Sequence, residues 1–520
     1  MNIPLDRSLS QPLYAQVAAF IRAQIERGAL EPGMRLPSIR RLSQDLGVNR
    51  VTIETAYGEL EADGLVTARG GSGTFVLPPF PACALPSLDG RAVPAAPPAV
   101  ADRKRGTASS ASDAATVELP RWQQALCDRR PDLSCDLMIP LQVPGPDEGP
   151  IALASGNSDA RLFPLASFRR TLRTVLARDG IKALEYEDPA GYAPLRRTIA
   201  RILADQGVPA TPDTVLVTAG SQQALHLVAQ VVLKPGDPVY VETPSYADGM
   251  ALFRTLGLRI VPVFTDSEGM SAEGLREAIA RHGHGLVFTM PNFQNPTGIC
   301  MSGQRRRRIA AIAVAHGVPI LEDDYVGDIR YEGYSQPSLH SLTPPGHTFY
   351  AGTFSKMLVP GLRMGYLVAE GPVLRMLARV KRMYDLSTSS VVQRTLERFV
   401  DLGSYRAHLT RACRIYKVRR DALLDSAVRH LPDDVTIAPV RGGLFAWLTL
   451  PEGVGATTLA HEAARHGVTV TPGTPFFAEG LQGEQHLRIN FTQHDPEILE
   501  EGMRRLARAI ARCRKGKHCA

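Results

Sequence analysis

Apolar residues recur at helical spacing near the start of the chain. Leu13, Val17, Ile21 and Ile25 fall on one face, and Gly28 with Pro32-Gly33 ends that run. A shorter helix is predicted from Ser38 to the stop at Gly47. A third begins at Asn49, a residue suited to capping a helix start, and reaches Asp63-Gly64, with Ile53, Ala56, Tyr57 and Leu60 on its apolar side. Residues 65–68 and 74–77 then read as two short strands around a glycine-rich turn, which makes a wing. After Leu77 the periodicity stops. Residues 78–150 are rich in Pro, Ala and Ser, a composition that cannot build a packed core and favours a semi-rigid linker, with one short helix predicted around residues 121–126. From residue 151 the pattern changes again. Short apolar runs at 215–218, 239–242, 286–289, 320–322, 348–351 and 365–369 are separated mostly by helical segments. That alternation predicts an α/β domain with a mostly parallel sheet covered on both faces. From about Tyr384 the chain turns helical and then mixed, as in a smaller α/β subdomain. The expected organisation is therefore 1–77, 78–150 and 151–520.

Composition narrows the class. Of 520 residues, 44% are hydrophobic and 21% charged, which excludes a disulfide-stapled miniprotein, a collagen-like chain and a wholly disordered one. Seven cysteines without a CxxC pair argue against a disulfide framework or a zinc ribbon and fit a reducing compartment. No run approaches 18 apolar residues, and the first residues lack the apolar stretch of a signal peptide. A cytoplasmic protein with no metal and no membrane partner is expected. The net charge of +7 is compatible with a polyanion without requiring one.

The first segment carries a charge pattern suited to nucleic acid. Arg35, Arg40, Arg41 and Arg50 cluster against one acid, Asp45, while Glu54, Glu59, Glu61 and Asp63 lie late in the third helix. Over residues 1–77, however, eight arginines meet eight acids, so charge alone leaves DNA and protein partners about even. The stretch Pro32-Gly33-Met34-Arg35-Leu36-Pro37-Ser38-Ile39-Arg40-Arg41-Leu42, followed by Gly47-Val48-Asn49-Arg50-Val51-Thr52-Ile53 and Ala56-Tyr57-Gly58-Glu59-Leu60, resembles a winged helix-turn-helix of the GntR family. The resemblance implies that Arg35, Ser38, Arg40, Asn49, Arg50 and Thr52 face double-stranded operator DNA. Arg69 and Gly71 would serve on the wing, and the domain would work as a dimer on paired half-sites.

Four clusters in the last segment suggest one chemistry. Thr353-Phe354-Ser355-Lys356 follows a strand, and a lysine there can condense with an aldehyde as a Schiff base. Arg363 lies close behind and could clamp a phosphate. Thr218-Ala219-Gly220-Ser221-Gln222 joins a strand to a helix, whose unpaired N–H groups favour an anion. Asp323, in Leu321-Glu322-Asp323-Asp324-Tyr325, could keep a pyridine nitrogen protonated, and Asn295, in Asn292-Phe293-Gln294-Asn295-Pro296, could hydrogen-bond a phenolic oxygen. Taken singly, each has an ordinary structural reading: an exposed lysine, a common turn, an ion-paired acid, an Asn-Pro turn. Their order and their places at strand ends resemble class I/II aminotransferases of fold type I. That resemblance implies pyridoxal 5′-phosphate as cofactor, held by Lys356 as an aldimine. It implies Asp323, rather than Asp324, at the ring nitrogen, and Asn295 and Tyr325 at the 3′-oxygen. Gly220, Ser221, Gln222, Thr353 and Arg363 would surround the phosphate, and Tyr246 would stack on the ring. Arg488, in His486-Leu487-Arg488-Ile489-Asn490, would grip a ligand carboxylate, and Tyr186 would be lent by the neighbouring subunit of a head-to-tail homodimer.

The two halves in this order resemble the MocR subfamily of GntR-type transcription regulators. The resemblance implies a regulator that senses pyridoxal phosphate, or a small amine or amino acid through the cofactor, and alters operator binding. Two other readings stand beside it. One is a functional aminotransferase with an appended DNA-binding domain. The other is a DNA-binding protein whose large domain is only a dimerisation scaffold.

Overall fold

Three helices and a hairpin form the first part of the chain because the apolar stripes converge. The computed structural model describes residues 3–6, 12–62, 65–69, 73–77 and 150–515. Contacts divide the chain into two units, Met1–Ala115 and Thr116–Ala520. In the first, α1 (Leu13–Glu26), α2 (Ile39–Leu46) and α3 (Arg50–Ala62) bury Val17, Ile21, Leu42, Ile53, Ala56 and Leu60 in one core. Each fully buried Val, Leu or Ile contributes roughly 1.5–3 kcal/mol, enough together to hold a domain this small. The Tyr57 hydroxyl donates to the Pro37 carbonyl at 2.8 Å and ties α3 to the segment that leads into α2. Strands β1 (Val66–Arg69) and β2 (Gly73–Val76) pair antiparallel as the wing. Residues 78–149, which include most of the expected linker and the short helix predicted in it, lie outside the described residues, as does Gly71.

The second unit is built on an eight-stranded sheet. Its strands are β4 (Val215–Thr218), β5 (Pro238–Thr243), β6 (Arg259–Asp266), β7 (Gly269–Met270), β8 (Leu286–Thr289), β9 (Ile320–Asp324), β10 (Thr348–Thr353) and β11 (Gly365–Val368). The order is β4-β11-β10-β9-β8-β5-β6-β7. Neighbours from β10 through β6 run parallel, and β11 runs antiparallel to both β10 and β4. Strand β4 therefore points the same way as β10, and six strands bring their C-terminal ends to one edge. Open sheets of this kind place ligands outside those ends. β4, β8 and β11 are buried along their whole length, which fits their unbroken apolar runs.

Sequence reasoning did not single out β6. Its burial alternates, with Arg259, Pro262 and Phe264 exposed near the sheet edge, so its apolar run is broken. A short parallel pair, β3 (Ile151–Ala152) with β14 (Val468–Thr469), joins the first residues of this unit to its last portion. That portion is the expected smaller subdomain. It carries β12 (Thr436–Ile437), β13 (Phe445–Thr449), β15 (Thr471–Pro472) and β16 (His486–Asn490) in the order β12-β13-β16-β15. Helices Ser404–His430, Ala456–Arg465 and Pro496–Lys515 accompany it and share its core, where Leu423, Leu459 and Leu506 are fully buried. Among the described residues, no helix is long and apolar enough to cross a membrane.

Candidate functional site

A cavity of about 380 Å³ opens at the C-terminal edge of the large sheet. Ser221, Gln222, Tyr246, Asn295, Asp323, Tyr325, Thr353, Lys356, Arg363 and Arg488 all line it. Sequence positions more than 260 apart thus meet because strand ends and β16 converge on one space.

Asp323 forms part of the wall from the end of β9. It is 2% exposed, and its Oδ1 has no hydrogen-bond partner. Burial, with Asp324 adding to it, pushes its carboxyl up to about 8. Successive strand residues face opposite sides. Asp324 accordingly turns away from the cavity and accepts from the Tyr350 hydroxyl at 2.6 Å. Lys356 follows β10, and its Nζ donates to the Asn157 carboxamide oxygen at 2.7 Å. Burial, reinforced by the Arg488 and Arg363 charges, pulls its amine down to about 8.

Arg363 and Gly220 form a cradle. Gly220 has φ +96 and leads into helix Ser221–Val232, whose first N–H groups are free to meet an anion. A Cβ at Gly220 would stand 3.0 Å from Arg363 Nη2, so only glycine lets the guanidinium lie this close. Arg363 Nη2 also donates to the Ala219 carbonyl at 2.9 Å. Gln222 is engaged nearby: its amide donates to the Asp248 carbonyl at 3.2 Å, and its oxygen accepts from Tyr246 at 3.4 Å.

Arg488, from β16, is 2% exposed and lies over the Phe445 and Phe476 rings at 4.3 and 4.9 Å. Its Nη1 donates to Asn295 Oδ1 at 3.0 Å, while its Nε has no partner. Burial pulls this guanidinium down to about 10, which raises the value of a bound anion. Tyr325 gives its hydroxyl to the Phe293 carbonyl at 2.8 Å, and burial raises both its phenol and that of Tyr246.

Tyr186 is not in this cavity; it is 81% exposed. Conversely, Asn157, Asp248, Ser355, Phe445 and Phe476 line the cavity but were not among the expected residues. Ser355 sits beside Lys356 in the same motif, and its buried Oγ has no partner. Adjacency was the available signal for it. Asn157 and Asp248 belong to no cluster that the sequence marks. The unpartnered atoms of Asp323, Ser355 and Arg488, with the Gly220 cradle, match a ligand bearing a ring nitrogen, a phosphate and a carboxylate. Among the described residues, no group of three or more His, Cys, Asp or Glu could hold a metal ion.

The first unit presents a second candidate surface. Arg35, Arg40, Asn49 and Arg50 are exposed, and Thr52 is half-buried. The Asn49 carboxamide accepts from the Val51 N–H at 3.1 Å and so caps α3. Ser38 caps α2, accepting from the Arg41 N–H at 3.3 Å. Arg35 pairs by backbone with Phe75 in the wing, and its guanidinium lies against Gly73, where a Cβ would stand 2.7 Å from Nε. Arg69 ends β1, but its side chain lies outside what is described.

Comparison with known proteins covers both surfaces. Residues 13–76 match bacterial regulatory proteins of the gntR family, and residues 148–506 match aminotransferase class I and II. An uncharacterized HTH-type transcriptional regulator of Escherichia coli, YjiR, is 32% identical over 505 residues, covering 96% of this chain and 99% of that protein. The HTH-type transcriptional regulator TauR of Rhodobacter capsulatus is 30% identical over 517 residues, covering 98% and 100%. Among solved structures, the α-aminoadipate aminotransferase LysN of Thermus thermophilus, complexed with N-(5′-phosphopyridoxyl)-L-leucine, is 34% identical with a TM-score of 0.66. That match covers 71% of this chain and 94% of LysN. The gntR-type domain implies DNA binding, the aminotransferase fold is commonly dimeric, and pyridoxal phosphate is the cofactor that this fold implies. The chain belongs to the class I and II aminotransferase family and carries a GntR-type helix-turn-helix domain ahead of it, the architecture of the MocR regulators.

Proposed function

We propose that this protein is a transcription regulator whose large domain binds pyridoxal phosphate and reads an amine or amino acid, changing how the small domain holds its operator. The observation that carries the reading is a cavity whose buried polar groups lack partners, in a chain that also bears an arginine-rich helix start. Domain boundaries at 1–77, 78–150 and 151–520 belong to the same proposal.

Pyridoxal phosphate, when bound, supplies an aldehyde open to amine attack and a ring that withdraws electrons. The chain's own residues do the rest. Lys356, with its amine drawn down to about 8, offers a far larger unprotonated fraction near neutral pH than an ordinary lysine. Asp323 holds a proton at the ring nitrogen. Ser221, Gln222, Thr353 and Arg363, with Gly220 at the turn, bind the phosphate, while Asn295 and Tyr325 orient the 3′-oxygen. Tyr246 covers one ring face and helps exclude water. Arg488 binds a ligand carboxylate in a site walled by Phe445 and Phe476. Tyr186, exposed in one chain, serves the partner's cavity in a head-to-tail homodimer. On the small domain, Arg35, Ser38, Arg40, Asn49, Arg50 and Thr52 contact DNA, with Arg69 and Gly71 on the wing.

The test is operator binding by the dimer with cofactor stripped, with pyridoxal phosphate added, and with amino compounds added to the loaded protein. A change in affinity or footprint with either addition supports the reading. Identical binding in all three states sinks it. A working aminotransferase is a second reading, favoured by Asp323, Lys356 and Arg488 standing around one cavity. Steady turnover of an amino donor with a 2-oxo acid would promote it, because fold alone does not decide chemistry.

A further inference from the structure

The phosphate cradle is held from behind by side chains that do not line the cavity. Gln223, in the first turn of helix Ser221–Val232, reaches back so that its Oε1 accepts from the Ala219 N–H at 2.8 Å. The carbonyl of the same residue accepts from Arg363 at 2.9 Å. Ala219 thus carries both the turn at Gly220 and the guanidinium beside it. A glutamine that reaches back to an N–H ahead of its helix is an ordinary cap. What lies behind this one is not ordinary. Gln223 Nε2 donates to Asp385 Oδ2 at 3.1 Å, and Asp385 Oδ1 accepts from Lys381 Nζ at 3.1 Å, with Lys381 fully buried.

The chemistry of each member sets the direction of the next. A lysine ammonium only donates, so it claims one carboxylate oxygen and leaves the other for Gln223. An ionised carboxylate only accepts, so it draws the amide nitrogen of Gln223 and turns the amide oxygen toward Ala219. A buried ion pair adds little net stability over apolar residues of similar volume, so direction is what this one supplies. Asp385 is also the last residue of helix Pro372–Asp385, and the chain leaves it sharply. Leu386 has φ +55, and the Ser387 N–H donates to the Asp385 carbonyl at 2.5 Å. A non-glycine residue keeps such a φ only where its surroundings fix it.

We propose that Asp385 is a positioning residue for the phosphate. Acting through Gln223, it fixes the Ala219 peptide and with it Arg363, and so makes the cavity select the phosphorylated form of the cofactor. The proposal rests on the phosphate site of the proposed function and adds the residue that holds that site in register.

The experiment uses full-length protein stripped of cofactor. It is titrated with pyridoxal 5′-phosphate and, separately, with pyridoxal, which lacks the phosphate, and the visible cofactor band reports binding. Asp385→Asn and Gln223→Leu should each weaken pyridoxal phosphate by about tenfold, the scale of one hydrogen bond to a charged group, and change pyridoxal by less than about twofold. Because the two residues act in series, both changes in one chain should weaken phosphate binding no more than the worse single change. Asp385→Asn leaves Lys381 buried without its counter-charge. Lys381→Met together with Asp385→Leu removes both charges at once and should give the same selective loss. Unchanged affinity for pyridoxal phosphate in Gln223→Leu overturns the proposal. So does an equal loss for both ligands, which marks a general loosening, and so do additive losses when the two changes are combined. If the wild type binds pyridoxal as tightly as pyridoxal phosphate while its Lys356-dependent band is normal, the phosphate site has failed and the proposal with it. If the wild type shows no Lys356-dependent band, the proposed function itself has failed.

Discussion

The ammonium of Lys356 is seated on the Asn157 side-chain oxygen at 2.7 Å, and Asn490 in turn donates to the Asn157 carbonyl at 2.8 Å. The amine is therefore positioned by a loop that is itself held by β16. Lys356→Ala should abolish the visible cofactor band completely. Asn157→Ala should keep the band but weaken cofactor affinity by about three- to tenfold, the scale of one hydrogen bond to a charged group. Spectral titration of both variants separates the roles; an unchanged band in Lys356→Ala would refute the assignment of the nucleophile.

Attachment of the cofactor should depend on pH with a midpoint set by Lys356. Its amine is drawn down to about 8, and only the unprotonated form attacks an aldehyde. The attachment rate should rise with pH and level off above about 8. An ordinary lysine would give a rise continuing toward about 10.4. Stopped-flow absorbance across this range is the measurement.

Gly220→Ala tests the phosphate cradle. The residue would need a left-handed φ of +96, and its methyl would press on Arg363 at 3.0 Å. Strain of this kind costs about 1–3 kcal/mol. Cofactor affinity should fall by about tenfold, with secondary structure unchanged by circular dichroism. Full affinity would show that Arg363 can move aside without loss.

On the small domain, Arg50→Ala should weaken operator binding while the cofactor spectrum stays normal. Loss of a bidentate base contact costs about 1–3 kcal/mol and relaxes specificity at one position, whereas loss of a phosphate contact lowers the salt slope by about one. Binding measured at several salt concentrations tells which contact Arg50 makes.

Asp159 and Arg419 form a pair in which both side chains are 4% exposed, with Nη1 2.9 Å from Oδ2. Burial alone would raise the Asp159 carboxyl, but hydrogen bonds from Arg161 and Arg419 hold it below the usual range. Its stabilisation is thus complete above the unfolded value near 3.9 and is lost as pH falls through the lower folded value. Asp159→Asn removes one of the two carboxylates that meet the buried Arg419, Asp495 keeping the other at 2.5 Å, and should cost about 1–3 kcal/mol. Thermal melts at neutral pH should show the loss, and melts below pH 3 should show a smaller difference between the variant and the parent.

Much of this architecture was legible because burial writes itself as pattern. The runs 215–218 and 286–289 coincide with β4 and β8, strands buried on both faces. Strand β6 escaped because its alternation at an edge, with a proline inside, does not read as a core strand. Ten expected residues of the large-domain site meet in one cavity because their motifs sit at strand ends. Asn157 and Asp248 escaped for a different reason. An asparagine in a loop and an aspartate in a first helical turn have local uses in most proteins, and only tertiary placement gives them another. The choice between Asp323 and Asp324 turned on strand pleat, which follows once β9 is known to end at this edge.

The antiparallel return from β10 to β11 has a mechanical consequence. It puts the group proposed to bond the cofactor and the group proposed to grip its phosphate on one short connection, Lys356 near its start and Arg363 near its end. Both handles hang from a single hinge. Held as proposed, the cofactor would load both ends of that connection at once, through Lys356 and through Arg363. Occupancy of the cavity would thereby be felt by one backbone segment that is tied directly to two paired strands of the sheet.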